Sequence, residues 1–263
     1  MQVVVCKDAC EGAEIVTREI LNALSRKPGL VLGLATGSTP IGVYERLITA
    51  HREDGVDFSS VQTFNLDEYC ELAADHPQSY RTFMQEHLFS GINIAGENIH
   101  FPPNEGPALA EKCLQHEEEI SQAGGIDIQL LGIGSNGHIG FNEPTSSLAS
   151  RTRIKTLTEK TLRDNSRFYE DPAQQPQVAS TLGIGTILDA RSILLQAYGE
   201  KKAEAVKASV EGPISSFWPG SALQMHADTT FILDEDSAAQ LEMIDYFRRS
   251  RAEGIRMRAE NTI

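Results

Sequence analysis

Residues 30–40 read LVLGLATGSTP, and the order of events in this short stretch decides the fold. Residues 30–35 form an apolar run bounded by glycines, the pattern of a short buried strand. Small and hydroxyl residues follow. Apolar positions then recur at helical spacing over 41–50, with Pro40 suited to the first turn of a helix. A strand that passes through a small-residue loop directly into a helix is the building unit of a parallel sheet.

The alternation extends in both directions. Residues 3–6 (VVVC) predict a strand, and Ala13, Val16, Ile20 and Leu24 mark one face of a helix. Residues 61–66 predict a strand, 79–89 a helix, 107–122 a long helix with an acidic outer face, and 127–133 (DIQLLGI) a buried strand. Residues 193–197 predict a strand, 202–210 a helix, 230–233 a last strand and 236–250 a closing helix. This order predicts an α/β fold: a three-layer, open, mostly parallel sheet with helices on both faces. No repeat or long linker interrupts it, so residues 1–263 read as one domain. The least regular stretch is 147–183, polar and broken by Pro172 and Pro176, which suits a mobile lid over a site.

With 263 residues and 40% hydrophobic content the chain can bury a large core. Its net charge of −14 argues against nucleic-acid or anionic-membrane partners, while leaving room for a locally positive site that takes an anionic substrate. No run approaches the ~18 apolar residues of a membrane span. The start, MQVVVCKDAC, lacks the basic residues and apolar stretch of a secretory signal. Cys6, Cys10, Cys70 and Cys113 show neither a C-x-x-C pair nor zinc-ligand spacing, and read as reduced thiols. The expectation is a cytoplasmic protein without a metal site.

Three loops after strands carry chemistry, and ligands gather at such carboxyl ends in open parallel sheets. In ATGSTP, Gly37 allows close backbone approach, Ser38 and Thr39 offer hydroxyls, and the helix start offers free N–H groups. That combination suits a phosphate, although an ordinary N-capped helix has the same composition. In FNLDEY (64–69), Asp67 and Glu68 arrive at a sheet edge. A partly desolvated carboxylate there can move a proton between adjacent carbons, whereas a solvated acidic loop does nothing of the kind. In GIGSNGHIGFNEP (132–144), four glycines free the backbone around His138, and Glu143 lies five residues on, placed to orient an imidazole. A glycine turn around a packed histidine is the plainer alternative.

Together these segments resemble the glucosamine-6-phosphate deaminase family. The similarity runs through LGLATGSTP, FNLDEY, HPQSY, LLGIGSNGHIGFNEP, SLASRTRIKTLT, NSRFY and GEKKAEAVKASVEG. The resemblance implies a Rossmann-like fold shared with ribose-5-phosphate isomerases and 6-phosphogluconolactonases. It implies conversion of D-glucosamine 6-phosphate and water to D-fructose 6-phosphate and ammonia, without a cofactor. Asp67 matches the carboxylate that carries a proton from C2 to C1. His138 matches the ring-opening acid/base, and Glu143 its partner. Asn136 stands where many members have Asp and others Asn; an amide holds a hydrogen bond but adds no charge. For the phosphate, the resemblance adds Arg167 and Lys202 to Gly37, Ser38 and Thr39.

The resemblance also implies regulation. Arg153 and Lys155 alternate on an apparent strand and so share a face. With Ser146, Thr156 and Tyr246 they match the allosteric site of hexameric members, which binds N-acetylglucosamine 6-phosphate between subunits. The expectation is a homohexamer activated by that ligand. The competing expectations are a lactonase, for which FNLDEY would lack a purpose, or another sugar-phosphate isomerase on the same fold, and a non-catalytic sugar-phosphate sensor. The sensor needs a basic DNA-binding module, for which this acidic chain has no segment.

Overall fold

The computed structural model describes residues 1–165 and 175–260. The chain runs through strand β1 (Gln2–Cys6), helix α1 (Ala9–Arg26), β2 (Val31–Leu34), α2 (Ile41–Asp54), β3 (Gln62–Asn65), β4 (Asp67–Tyr69) and α3 (Tyr80–His87). It continues through β5 (Ile99–His100), α4 (Leu109–Gln122), β6 (Ile128–Leu131), β7 (Arg153–Thr156), α5 (Glu159–Asn165) and β8 (Val178–Thr181). The last elements are α6 (Ile184–Leu188), β9 (Ser192–Ala197), α7 (Ala203–Val210), β10 (Thr229–Asp234), α8 (Glu235–Ala238) and α9 (Ile244–Glu260).

Seven strands form a parallel sheet in the order β1-β10-β9-β6-β2-β3-β5. Its central strands are buried on both faces, which explains the unbroken apolar runs seen in the sequence. On one face α1, α2 and α3 supply Val16, Ile20, Tyr44, Leu47 and Met84 to one core cluster. On the other, α4, α6 and α7 supply Ile120, Ile187 and Val206 to a second. The chain moves outward from β2 to β3 and in the opposite direction from β6 to β9, so the crevice between β2 and β6 is a topological switch point.

A second sheet, antiparallel and three-stranded, has the order β4-β8-β7. Sequence periodicity gave no sign of β4 or β8. Leu66 joins the sheets: its N–H donates to Leu34 O at 2.9 Å and its carbonyl accepts from Leu182 N at 2.7 Å. Within the small sheet, Thr181 of β8 pairs with Asp67 on one side and Arg153 on the other. The stretch 147–183 therefore contains β7, α5 and β8 among its described residues.

The single closing helix expected over 236–250 is instead two helices. Asp234 and Ser237 form a capping box that starts α8, and the chain turns after Ala238. Glu211, just after α7, then accepts from Glu242 N and Met243 N at 2.9 and 2.8 Å, satisfying amides at the entry to α9. A capping carboxylate so remote in sequence leaves no local signal.

Candidate functional site

Four neighbouring strands, β9, β6, β2 and β3, deliver four loaded segments to the carboxyl edge of the large sheet. Residues 36–40 follow β2. Gly37 adopts φ +92°, a left-handed conformation that costs glycine little. α2 begins after Pro40 with no side-chain cap, so Ser38, which is exposed, and Thr39 are not spent on capping. This disposes of the plainer explanation for their presence.

Asp67 and Glu68 open β4, and both are buried. Glu68 Oε1 accepts from Tyr69 N and Tyr80 N, and Oε2 accepts from Arg81 N, each at 2.9 Å. Glu68 thus anchors the start of α3. Burial raises its carboxyl pKa, and the three backbone donors oppose that rise. Asp67 accepts no hydrogen bond among the described residues. Burial, with a smaller contribution from the Glu68 charge, pushes its carboxyl up to about 8.

The glycine loop after β6 folds back over both carboxylate regions. Gly137 N donates to Gly134 O, and Gly134 N to His138 O, both at 2.9 Å. The His138 ring lies directly on Gly134, where a Cβ would stand 2.4 Å from the imidazole. Further along, a Cβ on Gly140 would stand 3.4 Å from Asp67 Oδ2 and 3.0 Å from Thr181 Oγ1. Close approach, at both positions, is what the glycines provide.

Asn136, His138 and Glu143 come together as the sequence suggested. Glu143 Oε2 lies 3.5 Å from His138 Nδ1 and accepts from Asn136 Nδ2 at 2.9 Å. Asn136 Oδ1 accepts from His138 N at 3.3 Å. Burial pushes the Glu143 carboxyl up. Bonding and charge from His138, with bonds from Thr161 and Thr158 N, more than reverse this and hold it at about 2. Glu143 is therefore an anion at neutral pH and orients Nδ1–H of the imidazole, leaving Nε2 for proton exchange.

Lys202 reaches the same loop from the turn after β9, donating Nζ–H to Ile133 O at 2.6 Å. Lys201 beside it is exposed. Arg167 lies outside the described residues.

Beneath the loops is an aromatic cluster that no periodicity announced. Tyr80 and Phe141 stack with centroids 5.9 Å apart, and Tyr69 lies 5.0 and 5.4 Å from them. The Tyr80 hydroxyl bonds to those of Tyr69 and Thr36, and burial drives its pKa well up. One cluster thus braces all three loops. Thr158 and Thr161 were also missed; TLTEKT carries no signal except their hydroxyls, whose partners are distant in sequence.

The residues expected at a second anion site fall in three places. Arg153 and Lys155 share a face of β7, in register with Thr181 and Ala179. Arg153 Nη1 donates to Asn142 Oδ1 at 2.8 Å, while its Nη2 and Ser146 Oγ are buried without partners among the described residues. Burial lowers the Arg153 pKa. Thr156 is exposed, and Tyr246 stands apart on α9, half exposed against Phe247.

A sequence profile of the family described as glucosamine-6-phosphate isomerases/6-phosphogluconolactonase matches residues 8–232. A glucosamine-6-phosphate deaminase of Hahella chejuensis is 53% identical over 257 residues, covering 98% of each chain. One from Shewanella loihica is 52% identical over 253 residues, covering 96% of this chain and 94% of its own. A solved structure described as a monomeric glucosamine-6-phosphate deaminase superposes with TM-score 0.89 at 41% identity, covering 91% of this chain and 99% of that one. A 6-phosphogluconolactonase from Leishmania guyanensis superposes at 0.70 with 19% identity, covering 91% and 98%, and shares the fold. Matched across most of its length, and about half identical to relatives over nearly their full extent, the chain belongs to the glucosamine-6-phosphate isomerase/6-phosphogluconolactonase family.

Proposed function

We propose that this chain converts D-glucosamine 6-phosphate and water to D-fructose 6-phosphate and ammonia, a step in amino-sugar breakdown. It is an enzyme of the deaminase branch of its family. The observation that carries this reading is Asp67: a buried carboxyl with no hydrogen-bond donor among the described residues, raised to about 8 and covered by the glycine loop. In its ionised form, whose share grows as pH approaches 8, such a group is a base suited to carbon acids.

The steps follow from the residues present. His138 Nε2, oriented through Nδ1 by Glu143, moves the proton that opens the sugar ring. The open aldehyde acidifies C2–H. Asp67 takes that proton as O1 gains one, giving an enolamine, and returns a proton to C1 as the nitrogen gives one up, leaving an imine at C2. Water adds to the imine carbon, ammonia departs, and a ketose remains. The phosphate is held by Gly37, Ser38 and Thr39 at the start of α2, with Lys202 and Arg167 supplying positive charge. The stretch 147–183 closes over the bound sugar.

Release of ammonia and fructose 6-phosphate from glucosamine 6-phosphate, without added metal, is the expected result. Hydrolysis of 6-phosphogluconolactone in its place would overturn the reading in favour of the lactonase branch.

Regulation belongs to the same proposal. Ser146, Arg153, Lys155 and Thr156 bind N-acetylglucosamine 6-phosphate, Tyr246 contributes through a neighbouring subunit, and the assembly is a homohexamer in the cytoplasm. Ser146 Oγ and Arg153 Nη2, buried without partners among the described residues, support an anion there. The family profile matches residues 8–232, and α9 lies beyond the matched residues. No helix among the described residues is long and apolar enough to cross a membrane. A monomer in sedimentation, with substrate curves unchanged by the effector, would remove the regulatory part and leave the chemistry intact.

A further inference from the structure

Glu143 is gripped from a segment well separated from it in the chain. Thr158 N donates to its Oε1 at 3.2 Å. Thr161, on the first turn of α5, bonds its hydroxyl to the same carboxylate and lies 3.4 Å from His138 Nδ1. Its position is itself fixed. Thr161 N donates to Thr158 Oγ1 at 3.3 Å, and the two hydroxyl oxygens are 3.2 Å apart. Thr161 is 2% exposed, so this is an interior hydroxyl among interior groups.

The other groups around the dyad do not duplicate it. Asn136 reaches Glu143 from within the glycine loop. Asp164, also on α5, is engaged by Ser135 Oγ at 3.0 Å, and Lys202 by the Ile133 carbonyl. Only Thr161, among the described residues, touches both the carboxylate and the imidazole from outside their own loop. A valine would fill the same space. What a threonine adds is one hydroxyl, placed where two side chains meet that must hold a fixed geometry for proton transfer.

We propose that Thr161 is a positioning residue for ring opening. Its hydroxyl pins the Glu143 carboxylate against His138, so that Nδ1 stays protonated towards Glu143 and Nε2 stays directed at the sugar ring oxygen. This rests on the deaminase reading. It also places a requirement of the chemical step on α5, in the stretch that runs from β7 towards β8.

The test compares Thr161→Val and Thr161→Ser with the parent in ammonia-release kinetics. Two substrates are used: glucosamine 6-phosphate, and its analogue lacking the 4- and 5-hydroxyls, which cannot cyclise. In Thr161→Val, kcat on the cyclic substrate falls about tenfold, the loss expected for one hydrogen bond to a charged group. KM stays within about twofold, since the substrate itself loses no contact. Turnover of the acyclic analogue is unchanged, and Thr161→Ser restores the parental rate. Thr161→Ala, which removes the hydroxyl with less bulk, gives the same pattern if the valine disturbs α5. Parental kcat in both hydroxyl-free variants, an equal loss on both substrates, or no rescue by serine would overturn the inference. A parent that releases no ammonia would overturn the functional reading, and this inference with it.

Discussion

Asp67 and Glu68 are consecutive on β4, and their carboxylates occupy opposite environments. Glu68 receives three backbone N–H groups; Asp67 receives none among the described residues. Successive side chains on a strand leave opposite faces, so two adjacent acids are divided between structure and chemistry.

Asp67→Asn keeps the shape and removes the group proposed to carry the proton. Deamination falls about a thousandfold, while calorimetry still detects substrate binding. The stability consequence has a definite sign. A carboxyl raised to about 8 in the folded chain holds a proton that the unfolded chain releases near 4. Its contribution is full below about pH 4 and is lost as pH rises towards 8. Denaturant melts at pH 5 and pH 8 therefore show the parent losing more stability across that interval than Asp67→Asn. Parallel behaviour of the two proteins would contradict the burial of Asp67 as a neutral group.

Glu68→Gln leaves ammonia release largely intact per folded molecule but lowers stability by about 2 kcal/mol. The amide presents N–H₂ where an acceptor is required, setting donor against donor at the start of α3. Thermal unfolding reads this as a drop of several degrees.

Gly134→Ala tests the contact between the loop and the imidazole. The added carbon meets Cε1, Nδ1 and Nε2 of His138 at 2.4 to 2.5 Å, so the ring must shift. Activity falls at least about tenfold, as displacement of a catalytic group by about 1 Å implies, while the melting profile stays sharp. A fully active alanine variant would mean that the ring tolerates another seat.

Glu143 behaves oppositely to Asp67 with pH. Its carboxyl is held at about 2, below the ~4.3 of an unfolded glutamate. Its contribution is full above about pH 4 and is lost as pH falls through 2. The stability gap between the parent and Glu143→Gln is therefore constant from pH 7 to 5 and narrows on further acidification, measurable by denaturant titration.

The large sheet was legible because its central strands are buried on both sides and read as short apolar runs. The grouping of Asn136, His138 and Glu143 was legible because all three lie within one loop. Glu68 was not separable from Asp67, since only the arrival of Tyr80 N and Arg81 N from α3 tells them apart. Strands β4 and β8 escaped because each is only three or four residues long and is paired through register rather than periodicity. The break between α8 and α9 depends on Glu211, and the bracing of Glu143 on Thr161. In both cases the partner is remote in the chain, and composition at neither end records it.

Thr181 sits between Asp67 and Arg153 on a single rung of the small sheet. Two strand spacings, about 10 Å, separate the ends of that rung. The hydrogen-bonded ladder resists stretching along this direction, so the two residues travel as the ends of a crossbar. The crossbar hangs from the large sheet at Leu66, its attachment next to Asp67. Arg153 is thus the far end of a lever whose short arm carries Asp67.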